Sequence, residues 1–353
     1  MPLEGIVTAI APGFFEVATP TASYLCTLRG RLRKARPANT STTSTPAGSS
    51  SSRRSSATTR PLRAVSPSTS TPPRSSDGET EKQPLRVSPG DRVLVTPLGG
   101  GEGVIEDVLP RRTALVRARS ERRGEQIMLA NPDHAVLVFA VREPEPHLGL
   151  LDRYLALCEQ TGVDVTICFN KLDLGVPEPV AEAKRLYEGL GYAALLTSAR
   201  GGDGLDTLRA RLAGRTSLLT GPSGVGKSSI INVLLPEAGQ RTGEISEATG
   251  KGRHTTTGVR LLPLEGGGWL ADSAGIRELA LWNVPSEDLA RTFRELRPYV
   301  GECEYDDCEH GANEEGCALR RALTEGAITP ERFASFERLL AEARETEAPE
   351  WAR

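Results

Sequence analysis

The chain has 353 residues, 43 Lys and Arg against 46 Asp and Glu, six cysteines and 38% apolar residues. That length suits about two or three domains, the cysteines are too few for a disulfide scaffold, and no stretch approaches the roughly eighteen apolar residues of a membrane-spanning helix. The net charge of −3 divides unevenly: residues 1–130 carry 19 basic and 11 acidic side chains, and the remainder carries 24 and 35. A basic front half suits a polyanionic partner such as RNA, though the same distribution also serves solubility.

The N-terminus lacks a basic segment, and Glu4, Pro12 and Glu16 interrupt its apolar residues. A secretory signal is therefore not expected, and a reducing cytoplasm is. GIVTAI, GFFEVAT and SYLCTLRG read as short strands between Pro, Gly and Thr punctuation. From about Pro37 to Pro84 the text is Ser, Thr, Pro and Arg with almost no large apolar residue, and is expected to be a disordered insert. Strand-like text resumes with DRVLVTPL, GEGVIEDVLP and TALVRARS. One β-barrel over residues 1–130, interrupted by the insert, is the simplest expectation, because either half alone has too few strands for a core.

From Asn131 to residue 284 strands and helices alternate. HAVLVFAV, VDVTICFN, AALLTSA and TSLLTG are apolar strands, and LLDRYLALCEQTG, VAEAKRLYEGLGY, GLDTLRARLAG and SSIINVLLP are helices. This alternation predicts an α/β domain with a mostly parallel sheet covered on both faces. Residues 285–353 read as mainly helical, broken by a Cys/His loop and closed by ERFASFERLLAEARE.

Gly221-Pro222-Ser223-Gly224-Val225-Gly226-Lys227-Ser228 fits G-x-x-x-x-G-K-[ST] and lies between an apolar strand and a helix. Its glycines let backbone N–H groups approach phosphates, and the helix N-terminus adds positive potential. Lys227 is expected at the β- and γ-phosphates and Ser228 at Mg²⁺. Asp272-Ser273-Ala274-Gly275, about fifty residues on at a strand end, is the D-x-x-G pattern. Asp272 is expected to hold Mg²⁺ through water, and the Gly275 amide to sense the γ-phosphate.

Asn170-Lys171-Leu172-Asp173 follows a buried strand, and Ser198-Ala199 follows the next. The Asp173 carboxylate can accept from guanine N1–H and the exocyclic amine; adenine, lacking that amine, leaves an acceptor unpaired. Asn170 is expected to touch the base edge and brace the P-loop, and the Lys171 stem to cover the purine face. An ATP-dependent kinase needs no such guanine clamp.

The order is unusual. Ordinary small GTPases run P-loop, switch threonine, D-x-x-G, N-K-x-D, S-A; here the last two come first, as in a circular permutation of the same sheet. D-x-x-G then feeds directly into the C-terminal segment, so loss of the γ-phosphate is expected to move the region beyond residue 285. Ile276, after Gly275, cannot orient water. The loop from Gly250 to Thr257 is the expected first switch: Thr256 or Thr257 should contact Mg²⁺ and the γ-phosphate, Thr257 being the expected metal ligand, and His254 is the candidate for positioning the catalytic water.

Cys303, Cys308, His310 and Cys317 offer three thiolates and an imidazole within fifteen residues. They form a full tetrahedral set for one structural Zn²⁺, with no open position for catalysis. Cys26, Cys158 and Cys168 read as small core residues, and His134 and His147 as structural.

Together, the permuted motifs, the GRHTTT loop and the Cys/Cys/His/Cys loop closely resemble the bacterial small-ribosomal-subunit-dependent GTPases of the RsgA (YjeQ) family. RGRLRK, GDRV, LPRRTALVR, NPDHAVLVFAV, LLDRYL and FNKLDL fall where that family has similar text. The resemblance implies an N-terminal OB-fold, a permuted P-loop GTPase domain and a C-terminal zinc-binding domain. It also implies a cytoplasmic protein, expected to be a monomer, that binds the small ribosomal subunit and its rRNA late in maturation, with subunit-stimulated hydrolysis of GTP to GDP. It extends the phosphate loop to Ser229 and matches His254 to the family's proposed catalytic histidine. D-S-A-G in place of the commoner D-T/S-P-G and the insert are departures. Arg29, Arg31, Arg33, Lys34, Arg111, Arg112, Arg117 and Arg119 are the expected phosphate contacts of the barrel. The competing reading is a GTP-regulated RNA-binding module with little turnover.

Overall fold

The structure is a computed structural model and describes residues 2–30, 32, 87–118, 125–236, 259–272, 284–311 and 314–347, without the side chains of residues 117, 118, 125, 126 and 272. The insert at about 37–84 lies outside the described residues.

Strands β1 (Leu3–Ala11), β2 (Phe14–Ala18), β3 (Ser23–Leu28), β4 (Arg92–Gly99) and β5 (Glu102–Val108) close a barrel in the order β1-β2-β3-β5-β4. Every neighbouring pair is antiparallel except β3 with β5. Alternation turns Val7, Val17, Cys26, Val93, Val95 and Ile105 into its core. Strands from both sides of the insert pair with one another, so neither half closes alone.

The TALVRARS segment does not join this barrel. The ring is already closed by β4 and β5, which leaves no edge for a sixth strand. Instead β6 (Ala114–Ala118) pairs antiparallel with β7 (Glu125–Ala130), and Leu115, Met128 and Leu129 of this hairpin are buried with the central sheet.

That sheet has the order β10-β9-β8-β11-β13-β12. Strands β8 (His134–Ala140), β9 (Asp164–Asn170), β10 (Ala193–Leu196), β11 (Thr216–Thr220) and β13 (Trp269–Asp272) are parallel, and β12 (Arg260–Pro263) is an antiparallel edge. The central strand β8 is buried at every position. Its Ala135, Leu137 and Phe139 face helices α1 (Leu148–Thr161) and α2 (Glu178–Gly189), and Val136, Val138 and Ala140 face α3 (Leu205–Leu212) and α4 (Lys227–Leu234). Both faces are thus apolar, as a parallel sheet requires. Edge strand β12 lies against barrel strand β1, and Arg260 pairs with Glu16 at 2.8 Å.

The C-terminal helices α5 (Ser286–Thr292), α6 (Ala318–Thr324) and α7 (Pro330–Glu347) share a core of Leu289, Phe293, Leu296, Phe333 and Phe336. Phe293 and Phe336 meet edge-on with centroids 5.6 Å apart. Glu159 at the end of α1 binds both Arg294, at 2.6 Å, and Arg297, fastening this region to the central domain.

Candidate functional site

The motif loops leave the C-terminal ends of parallel strands, where open α/β sheets bind ligands. Asn170 to Asp173 follow β9, Ser198 and Ala199 follow β10, Gly221 to Gly226 follow β11, and β13 ends on Asp272. A pair of glycines accounts for the P-loop's shape. Gly221 has φ +146, and a Cβ there would lie 2.0 Å from the Val138 carbonyl oxygen. Gly226 has φ +95, and a Cβ there would meet Asn170 Nδ2 at 2.3 Å. Only glycine satisfies both the left-handed backbone and the close approach. Helix α4 then starts at Lys227, whose Nζ donates to the carbonyls of Gly221 (2.8 Å) and Pro222 (2.6 Å). Val225 is buried, Pro222, Gly226 and Lys227 are half-buried, and Ser223, Gly224, Ser228 and Ser229 are exposed.

Asn170 joins three loops. Its Nδ2 donates to the Val225 carbonyl of the P-loop at 2.9 Å, while its Oδ1 accepts from Thr197 Oγ1 and from the Ala199 N–H, each at 3.2 Å. The residue is buried, so the bonds to Val225 and Thr197 are made away from competing water. Thr197 carries no motif signature; its location just before Ser198-Ala199 is the only sequence cue to this role. Asp173 lies in a 3₁₀ turn, and its Oδ1 accepts from the Ser198 hydroxyl at 2.7 Å. That bond holds the Asp173 carboxyl below the usual carboxylate range. Ser198 Oγ in turn accepts from the Gly201 N–H at 2.9 Å. Asp173 is therefore an anion oriented by the Ser198 loop.

His254, Thr256, Thr257 and Gly275 lie outside the described residues, as does the side chain of Asp272.

Among the predicted phosphate contacts of the barrel, Arg111 is a correction. Its side chain is buried and gives a two-bond contact to buried Asp91, at 2.6 and 2.7 Å. A guanidinium so placed is a structural counter-ion and does not face a polyanion. Arg29 pairs with Glu106 and Arg112 with Asp133 at 3.0 Å, both arginines at the surface. Arg31, Arg33, Lys34 and Arg119, and the side chain of Arg117, lie outside the described residues.

In the C-terminal region, Cys303, Cys308, His310 and Cys317 bring their donor atoms within 4.8 Å of one another. His310 Nδ1 lies 3.6, 3.5 and 3.6 Å from the sulfurs of Cys303, Cys308 and Cys317. Zinc bonds of about 2.3 Å to sulfur and about 2.0–2.1 Å to nitrogen, at tetrahedral angles, put N and S about 3.6 Å apart. The Ala318 N–H donates to Cys303 Sγ at 3.3 Å, the kind of outer contact that orients a thiolate ligand. Burial, together with the adjoining thiols, pushes the Cys308 thiol up to about 12. The donor set and spacing fit a tetrahedral cation. Cys26, Cys158 and Cys168 are buried, and burial raises each thiol. His147 caps α1 by accepting from the Leu150 N–H.

The family model for the RsgA GTPase matches residues 108–282. The small ribosomal subunit biogenesis GTPase RsgA of Moorella thermoacetica is 45% identical over 254 residues, 72% of this chain and 84% of that protein. Its counterpart in Azotobacter vinelandii is 46% identical over 262 residues, 73% and 75% of the two chains. The chain belongs to the RsgA GTPase family. It is accordingly a GTP-hydrolysing enzyme, and the permuted order of its motifs is the order of this family. YjeQ from Thermotoga maritima, 27% identical, superposes over 97% of this chain and 99% of its own with a TM-score of 0.68. YloQ, described as a circularly permuted GTPase, shares the fold at 23% identity and a TM-score of 0.67, over 99% and 97% of the two chains. The RsgA-type architecture of barrel, permuted GTPase domain and C-terminal helices with a Cys/His cluster therefore spans essentially the whole chain.

Proposed function

We propose that this GTPase binds the small ribosomal subunit during late maturation and hydrolyses GTP there, with turnover stimulated by the subunit. The observation that carries the nucleotide assignment is Asn170, which ties the base turn, the Ser198-Ala199 loop and the P-loop together through one buried amide. In this reading Asp173 selects guanine, Lys171 covers it, and Gly221 to Ser229 cradle the phosphates with Lys227. Ser228, Thr257 and Asp272 would hold Mg²⁺, which would neutralise phosphate charge. Thr256 and Gly275 contact the γ-phosphate, and His254 positions the attacking water; these assignments rest on the order of the motifs. The names of the curated relatives supply the subunit as partner.

The working units are the barrel of β1 to β5, the GTPase domain (to residue 284) with the β6–β7 hairpin packed on its sheet, and the zinc domain (285–353), acting as a cytoplasmic monomer. The barrel engages rRNA with surface arginines such as Arg29 and Arg112, without Arg111. Initial GTPase rates with purified small and large subunits in parallel test the partner. Many-fold stimulation by the small subunit alone is expected, and equal rates with either or neither would overturn the assignment.

One structural Zn²⁺ would be held by Cys303, Cys308, His310 and Cys317. The turn-forming segments between them bury little apolar surface, so the metal supplies what packing does not. The purified protein should carry about one equivalent of zinc by elemental analysis, in keeping with a single four-ligand site. Cys308→Ala should lose it and impair subunit-stimulated turnover more than GTP affinity. A parent protein without zinc would refute the site.

A further inference from the structure

Strand β8 lies between β9, which carries the Asn170–Asp173 turn, and β11, which carries the P-loop. Neighbouring strands are about 4.8 Å apart, so the segment leaving β8 is wedged between the base and phosphate halves of the site. Residues 141–146, Val-Arg-Glu-Pro-Glu-Pro, match no nucleotide motif. They are nevertheless tied to the base turn at three points. The Val141 N–H donates to the Asn170 carbonyl at 2.8 Å, Arg142 Nε donates to the Gly175 carbonyl at 3.3 Å, and the Lys171 ammonium donates to the Glu143 carbonyl. On the phosphate side, a Cβ on Gly224 would lie 3.7 Å from Pro144 Cδ. Glu143 itself has φ +52, the left-handed region that side chains other than glycine rarely adopt. An outlier of this kind persists where its surroundings over-determine it, and such outliers gather at ligand sites.

We propose that Glu143 is a positioning residue for the guanine nucleotide. Its left-handed backbone presents the carbonyl that anchors the Lys171 ammonium, and this holds the aliphatic stem of Lys171 across the purine face. The proposal rests on reading Asn170 to Asp173 as the guanine clamp. It assigns the work to the backbone of Glu143 and none to its carboxylate.

That distinction sets the chemistry of substitution. Glu143→Gly removes the side chain and keeps the left-handed backbone accessible, so it should lose much less nucleotide affinity than a β-branched replacement. Glu143→Val disfavours that backbone and should speed dissociation of a fluorescent GDP analogue roughly tenfold, as expected for losing a charge-assisted hydrogen bond. Lys171→Met keeps the stem and deletes the ammonium without touching the backbone, and should show the same loss. In the Lys171→Met background, Glu143→Val should add nothing, because both act through one bond.

Stopped-flow dissociation on the full chain, with thermal melting to confirm folding, tests all four proteins. Parent-like dissociation from Lys171→Met or Glu143→Val, a loss in Glu143→Gly equal to that in Glu143→Val, or an undiminished valine penalty in the Lys171→Met background would each overturn the anchor. Asp173→Asn separates this from the underlying reading. If it leaves GDP binding intact, the guanine clamp itself is wrong. If it weakens binding while Lys171→Met does not, only the anchor is wrong.

Discussion

Arg332→Ala is expected to destabilise the protein by about 3–5 kcal/mol, the usual cost of leaving buried carboxylates without their counter-ion. Arg332 lies in α7 with its side chain 4% exposed. Its guanidinium pairs with Asp152 of α1 and, at 2.5 Å, with Glu295, themselves 5% and 7% exposed. Tyr187 of α2 donates to the same Asp152 oxygen at 2.6 Å. The Phe293 ring lies 4.6 Å from the guanidinium carbon, so the cation also meets an aromatic face. Asp152 and Tyr187 belong to the GTPase sheet's covering helices, and Glu295 and Arg332 to the C-terminal region. This buried cation therefore joins the two regions, beside the more exposed pairs that Arg153 and Glu159 make. The damage comes from the two carboxylates left behind. The triple variant Arg332→Met, Asp152→Asn, Glu295→Gln should regain much of the stability, since it removes the charges along with their partner. Urea unfolding of the three proteins at neutral pH measures this. A single-mutant loss below about 1 kcal/mol, the range of an exposed pair, would mean the network is wet.

This network also bears on how a switch signal reaches the C-terminal region. From sequence, D-x-x-G leads directly into residues 285 onward, so movement of that region with the γ-phosphate is expected. In the structure the same region is fastened to α1 at Asp152, Arg153 and Glu159, on the side of the sheet remote from α4. A signal passing that way must act against these contacts, and not only through the connecting segment.

The P-loop and the Asn170–Asp173 turn were legible because each is local along the chain, and the P-loop's residue types reflect close backbone approach, as at Gly221 and Gly226. The Cys/His loop was legible because its four ligands lie close along the chain. The joins between regions were not, because they depend on partners far apart in sequence. Arg111 reads as one more basic residue until its pairing with Asp91, twenty residues earlier, is seen. Asp152, Tyr187, Glu295 and Arg332 come from three helices and a turn that lie far apart in sequence. Leu115 alternates like a barrel residue, and only closure of the ring by β4 and β5 sends its hairpin to the other core. The loop at Glu143 has no signature either. Its importance comes from strand order, which sequence alone leaves open.

Acidification should weaken the fold through His134 before most carboxylates are protonated. His134 opens β8, fully buried, with Nε2 2.9 Å from Thr166 Oγ1 and Nδ1 3.4 Å from Ser217 Oγ on the two flanking strands. Burial lowers its pKa from 6.5 to about 4; Arg215 and Arg211 lower it too, and Asp164 and Asp133 oppose the shift only in part. The folded protein therefore keeps the ring neutral at a pH where the unfolded chain takes up a proton. The associated stability is fully present above about pH 6.5, declines as pH falls and is lost at about pH 4, a total of about 3 kcal/mol. Between about pH 6.5 and pH 5 the decline should be about 1.6 kcal/mol, approaching one proton's slope at the acid end. Loss of metal from the His310 site can add to any acid effect, so the measured quantity is a difference. His134→Gln keeps a polar side chain between the two hydroxyls and cannot titrate. Urea unfolding of parent and variant over this range should show the parent falling more steeply by nearly one proton. Parallel curves would mean that the ring is protonated in the folded state, with hydroxyl oxygens on both flanking strands accepting from it.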